Sequence, residues 1–165
     1  MRIVMSVTDE DILFSSSSVE LRVNKQVYEC WLAHRQIKRK DTEQFGALIG
    51  SRAEGECKIW IDRCTTPKEK DISQRARFVM RDPFHQQAID KAFEQSNGEL
   101  GYIGTWHTHP QCVPVPSNID LNDWAQCTLR NPDRQLVFAI VGIEQVNVYI
   151  NINGNLEIAK RNIDG

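Results

Sequence analysis

The sequence predicts an α/β fold: a single domain over residues 1–165, with a curved mixed β-sheet flanked by helices. Three observations carry this expectation. The length suits one hydrophobic core that needs no disulfide staples. Short alternating or wholly apolar runs, bounded by Gly, Pro, Asn and Ser, recur along the chain as strands do. Between them lie segments with helical spacing, so helices are interspersed among strands joined mainly by hairpins, as in a layered α/β structure.

The elements follow in order. "SSSS" (15–18) reads as a turn or loop, and "VELRV" (19–23) alternates like a strand. Asn24 then caps a helix over 24–34, with Val27, Trp31 and Cys30 on its apolar side. "FGALIG" (45–50) is short, apolar and glycine-bounded, a buried strand; the turn "SRAEGE" leads to the next strand, "CKIWIDRC" (57–64). "TTPKEKDISQRA" (65–76) is polar and Pro-containing, hence a loop, and "RFVMR" (77–81) a short strand. Over 83–96, Phe84, Ala88, Ile89, Ala92 and Phe93 recur at helical spacing; Pro83 suits the first turn and Asn97-Gly98 the exit. "LGYIGTWHTH" (100–109) is a strand, and a helix is predicted over 117–129. "QLVFAIVGI" (135–143), "NVYINI" and "LEIAK" (156–160) complete the strands. No internal repeat is present.

Composition narrows the function classes. Hydrophobic residues make up 41% and charged residues 25%, ordinary for a soluble globular protein. The net charge of -2 implies no general affinity for nucleic acid or anionic membranes. Basic residues gather in "HRQIKRK" (34–40) and "QRARFVMR" (74–81), which read as solvated faces. No apolar run is long enough to span a bilayer, and "MRIVMSVTDEDILF" is a poor export signal because acids arrive early. The five cysteines, Cys30, Cys57, Cys64, Cys112 and Cys127, are odd in number and unevenly spaced, so they read as reduced thiols of a cytoplasmic protein. Cys57 and Cys64 lack zinc-finger spacing and read as small buried hydrophobes.

The chemistry concentrates in "GYIGTWHTHPQCVPVPSNIDLNDW" (101–124). On a strand, residues two apart share a face, so His107 and His109 present two imidazoles side by side. Two such nitrogens suit a small divalent metal, and a catalytic zinc site takes three protein ligands and leaves one position open. Asp120 is the nearest third ligand. The stiff "PVPS" turns the chain back, and Ser117 and Asp120 then lie on one side of the first helical turn. Taken alone, Ser117 is a good N-cap and Asp120 suits any first turn. The conjunction of H-x-H, a Pro-rich turn and S-x-x-D favours a metal site. There is no H-E-x-x-H, and the P-C-x-x-C of a nucleobase deaminase is missing. A Cys112–His109 nucleophile is the weaker alternative.

"HTHP" followed by "PSNID" resembles the zinc motif of the JAMM (JAB/MPN) metallopeptidases, H-x-H-P then S-x-x-D, and the resemblance extends roughly over residues 19–152. That family carries a glutamate before a glycine-flanked apolar strand, and "EQFGALIG" places Glu43 there. More narrowly, "YIGTWHTHP" with "PVPSNIDLNDW" resembles the bacterial JAB peptidases of CBASS anti-phage operons, which free a nucleotidyltransferase (CD-NTase) from a ubiquitin-like C-terminal linkage. The resemblance implies a JAB/MPN fold with cytidine-deaminase-like layering and zinc (Zn2+) held by His107, His109 and Asp120. It implies Glu43 as the base that takes a proton from water and returns it to the leaving amine, and Ser117 as donor to the oxyanion. The implied partners are a protein with an extended C-terminal tail, a CD-NTase or ubiquitin-like protein, and its conjugation target. The loop 65–76 stands where family members carry a substrate-contacting insertion, but it is short, and simple connection is its other reading. Two other functions stay open: trimming of a sulfur-carrier protein's C-terminus, and a non-catalytic MPN-type binding scaffold.

Overall fold

The structure, a computed structural model, describes residues 11–162 apart from 54 and 56. Most of the segment read as a poor export signal therefore lies outside the described residues, as do two positions of the 51–56 turn. The strands are β1 (Ile12–Ser15), β2 (Glu20–Val23), β3 (Phe45–Ala53), β4 (Lys58–Cys64), β5 (Ile72–Ser73), β6 (Phe78–Val79), β7 (Gly101–Thr108), β8 (Val137–Val141), β9 (Val146–Ile152) and β10 (Asn155–Arg161). The helices are α1 (Lys25–Ala33), α2 (Pro83–Gln95) and α3 (Asn118–Arg130). Among the described residues no helix is long and apolar enough to cross a membrane.

The fold is α/β with a mixed sheet, as predicted, but the sheet closes on itself. Its order is β1-β10-β9-β8-β7-β3-β4-β2. β2 runs parallel to β4 and β7 to β8; the other neighbours are antiparallel. Closure depends on β1, which the sequence reading passed over. β1 pairs with both β2 and β10 and carries the fully buried Phe14. The serine run is the β1–β2 turn, where Ser16 N donates to Val19 O.

The sheet is covered on both faces, and period-two alternation assigns each side chain to one of them. Along β8, Val137, Ala139 and Val141 join the main core with Phe14, Leu21 and Trp31. Phe138 and Ile140 point the other way, against Trp124 and Cys127 of α3. On the same outer side Ala92 of α2 packs on Ile49 and Leu100. β7 follows this rule: Trp106 enters the main core, whereas His107 faces out, its ring 6.3 Å from that of Trp124.

Three expectations need correction. The segment 65–76 is not only loop, because β5 pairs with β6 as a separate two-stranded hairpin. The buried face of α2 consists of Ala92 and His85, while Phe84 and Phe93 are exposed. His85 displaces the aromatics because its ring is hydrogen-bonded on both sides, by Thr65 and Asp71, and Phe84 instead underlies the Lys68 ammonium at 4.4 Å. Cys57, expected to be buried, lies exposed at φ 52 after the β3–β4 turn.

Candidate metal centre

β7 ends at the site. His107 pairs with Phe45 of β3 and Ile140 of β8, which fixes its height in the sheet. His109 lies one residue beyond the strand, but its N–H still donates to Val141 O (3.0 Å), so the extended register continues. Thr108 between them points inward and donates to buried Gln36 (2.8 Å). α3 supplies the third group. Its N-cap is Ser117, whose Oγ accepts from Asp120 N (3.1 Å), while Ser117 N donates to Asp120 Oδ2 (2.9 Å). This reciprocal capping box orients the Asp120 carboxylate as well as ending the helix.

Four atoms from three residues converge. His107 Nε2 and His109 Nε2 are 3.1 Å apart. Asp120 Oδ1 lies 3.2 Å from the first and Oδ2 3.0 Å from the second. Ligands held about 2 Å from one tetrahedral ion stand about 3.3 Å from each other, so this spacing fits such an ion. All three residues are buried. His109 Nδ1 lies 3.2 Å from Gln111 Oε1, which also accepts from Val115 N. A proton on Nδ1 donated to that amide oxygen leaves the Nε2 lone pair aimed into the cluster, the usual outer support of a metal-ligating histidine. Burial alone would raise the Asp120 carboxyl, but bonds from His107, His109 and Ser117 N hold it well below the usual carboxylate range.

Glu43 stands beside this trio, just ahead of β3. It is buried, with Oε1 3.8 Å from His109 Nε2. Burial pushes its carboxyl up to about 7; His109 pulls against that and the charge of Asp120 adds to it. A carboxyl poised there can both accept and return a proton near neutrality. Its main chain is held by the β5–β6 hairpin: Glu43 N donates to Gln74 O (2.7 Å), and Ser73 Oγ bonds Glu43 O. The other hairpin strand brings Phe78 onto Phe45, stacked at 4.5 Å, and to 5.4 Å from the His107 ring.

The chain matches the family described as prokaryotic homologs of the JAB domain over residues 26–152. It belongs to that family. Among the relatives of this JAB domain protein, an Escherichia coli protein named "CD-NTase/cGAS isopeptidase" is 30% identical over 145 residues, which are 88% of this chain and 85% of the relative. Proteins of the same name from Vibrio cholerae and Pseudomonas aeruginosa are 37% and 32% identical, covering 67% and 73% of this chain and 69% and 75% of theirs. The fold is similar to the solution structure of a Desulfitobacterium hafniense protein, with a TM-score of 0.53 at 23% identity, covering 82% of this chain and 87% of that one.

The structure thus brings together four of the five residues singled out from sequence, and places the fifth, Ser117, at the adjoining helix cap. Sequence reasoning missed Gln111 and the aromatic walls Phe78 and Trp124. Trp124 was within reach, since it follows Asp120 by four residues on a helix. Cys112 is exposed, and its carbonyl accepts from Glu144 and Gln145, so its visible contribution is to anchor the 110–116 loop. A groove of about 460 Å³ opens beside the site between the hairpin and α3, lined by Glu43, Phe78, His107, Ile119, Asp120 and Trp124 among others. A wider recess of about 610 Å³ adjoins it, sharing Met80, Tyr102 and Arg130.

Proposed function

We propose that this JAB domain is a zinc-dependent isopeptidase of the bacterial cytoplasm. It frees the extended C-terminal tail of a CD-NTase or ubiquitin-like protein from its conjugation target, in anti-phage defence. The observation that carries the reading is the convergence of His107, His109 and Asp120 donor atoms at 3.0–3.2 Å, with buried Glu43 beside them. Family membership and the names of the relatives support the reaction class and the CD-NTase as substrate.

His107, His109 and Asp120 would hold the ion. A bound zinc ion lowers the pKa of water and polarises a carbonyl. Glu43 accepts the proton of the attacking water and hands it to the departing amine. Ser117 donates its hydroxyl hydrogen to the carbonyl oxygen as negative charge develops there. The substrate tail lies in the groove between α3 and the hairpin. β7 is paired on both sides, whereas β6 pairs among the described residues only with β5 and offers an edge to an added strand. A sulfur-carrier trimming role lacks support among the relatives, and a pure scaffold would not need the three donors and the buried base.

The test is an incubation with a conjugate in which a CD-NTase C-terminus is joined to a lysine of a reporter protein. Release of both intact proteins, abolished by EDTA and restored by zinc, is expected. Cleavage undiminished after complete metal removal would overturn the metal-dependent reading.

A further inference from the structure

Beyond the site lies a buried polar cluster that touches none of the three candidate metal donors. The ring of His85 on α2 is bonded on both sides. Its Nδ1 lies 2.6 Å from Thr65 Oγ1, and its Nε2 lies 2.6 Å from Asp71 Oδ2. The Asp71 carboxylate can only accept, so the ring presents an N–H to it at Nε2; a neutral ring then accepts the Thr65 hydroxyl hydrogen at Nδ1, while Thr65 Oγ1 also accepts from Ala47 N (2.8 Å). The same Asp71 carboxylate accepts from three backbone N–H groups: Lys68 (2.9 Å), Arg81 (2.7 Å) and Asp82 (2.7 Å). Residues 71 and 81 flank the β5–β6 hairpin, so this carboxylate ties its neck shut. Thr65 in turn belongs to the frame: its N–H donates to Ala47 O, and its carbonyl accepts from Trp106 Nε1 (2.8 Å).

The far end of the hairpin grips Glu43. Gln74 O and Ser73 Oγ occupy the N–H and the carbonyl of Glu43, and Gln36 Nε2 fastens the turn through Arg75 O (3.1 Å). The position of the base is therefore set by the hairpin, and the hairpin is set at its neck. We infer that Thr65, His85 and Asp71 form a clasp of positioning residues that holds Glu43 at the reaction centre through the β5–β6 hairpin. The inference rests on the proposed role of Glu43 as base. Nothing in the clasp touches the three metal donors directly, so it acts on the base and not on metal retention.

Two measurements test this. Hydrogen exchange needs neither substrate nor metal: in Asp71→Asn the Glu43 amide should speed up about tenfold or more beyond any change at Phe138 in β8, whose amide reports the global loss of stability. The second is a double-mutant cycle on the CD-NTase–reporter conjugate. Asp71→Asn should keep its zinc and lower kcat about tenfold, yet in a Glu43→Gln background it should change the residual kcat less than about twofold, because the group it positions has gone. Ser73→Ala, which removes one of the hairpin's two bonds to Glu43 without touching the neck, should show the same non-additivity and replaces Asp71→Asn if that variant fails to fold. Additive losses, or a Glu43 amide that speeds up no more than that of Phe138, overturn the clasp while leaving the isopeptidase reading intact. Wild-type turnover in Glu43→Gln overturns both.

Discussion

The Ser117 hydroxyl faces two demands, and the geometry lets it meet both. Its oxygen accepts from Asp120 N as the cap of α3, and its hydrogen remains free to donate. Loss of the cap alone costs about 1 kcal/mol in Ser117→Ala and only a few tenths in Ser117→Gly. Loss of an oxyanion donor costs about 10²-fold in kcat in either variant. Both variants are therefore expected to bind zinc and to be slow, with Ser117→Gly close to wild type in thermal unfolding. Near-normal turnover in Ser117→Gly would leave the residue as a cap. The neighbouring groups separate differently. His109→Ala and Asp120→Ala should lose the metal by elemental analysis. Glu43→Ala should keep about one zinc per chain while kcat falls by roughly two orders of magnitude. The strand period placed His107 and His109 side by side, whereas Asp120 was singled out as the nearest acid beyond the Pro-rich turn and by the family motif; the structure brings the three together. Gln111 was not legible, because an amide oxygen that supports a ligand follows no period.

Helix limits follow from local chemistry and were legible for that reason. Asn24 caps α1 through a bond to Gln26 N (2.8 Å), Ser117 caps α3, and Pro83 opens α2 behind Asp82. The strand at 77–81 was legible and appears as β6, but β5 and its pairing into a hairpin were not, because long-range groups fix them: the Asp71 carboxylate at the neck and Phe78 on Phe45. Asp71 also gives this element a pH signature. Burial pushes its carboxyl up, but the His85 bond and three backbone N–H groups outweigh that and hold it below its ordinary value. A carboxylate depressed in the folded state stabilises above its unfolded pKa, about 3.9, and that contribution is lost as pH falls through the lower folded value. Stability of the wild type should therefore drop on acidification below about pH 4, and Asp71→Asn should lower stability at pH 7 while flattening that acid limb in urea unfolding. An acid limb of unchanged slope would mean that other carboxylates dominate it. β3 carries a steric constraint of its own. A Cβ at Gly46 would meet Thr65 O at 1.7 Å and Trp106 Nε1 at 2.7 Å. Gly46→Ala should cost about 3 kcal/mol or more, because strand and frame must part to admit it.

At the scale of the molecule, closure of the sheet leaves the three candidate metal donors on two separately packed elements. β7 holds both histidines, braced by β3 and β8, while Asp120 arrives on α3, which rests on β8 and β9 through Trp124 and Cys127. That convergence exists only in the folded chain. An ion bound there stabilises the native state by mass action, by about 2.7 kcal/mol when free zinc is a hundredfold above its Kd. For a domain of this size that corresponds to a Tm rise of about 5–10 °C. EDTA should therefore lower the Tm of the wild type, and added zinc should restore it. His109→Ala should show no such response, although its core is intact. The shift should also shrink on acidification: burial pulls the His109 imidazole down, but its bonds to Asp120 outweigh that and raise it above its ordinary value, so protons compete there with the ion. Scanning calorimetry at pH 7.5 and pH 5, with and without EDTA, measures all of this. A Tm unmoved by chelation at pH 7.5, with elemental analysis showing the zinc gone, would mean that Asp120 and the histidines meet through packing alone.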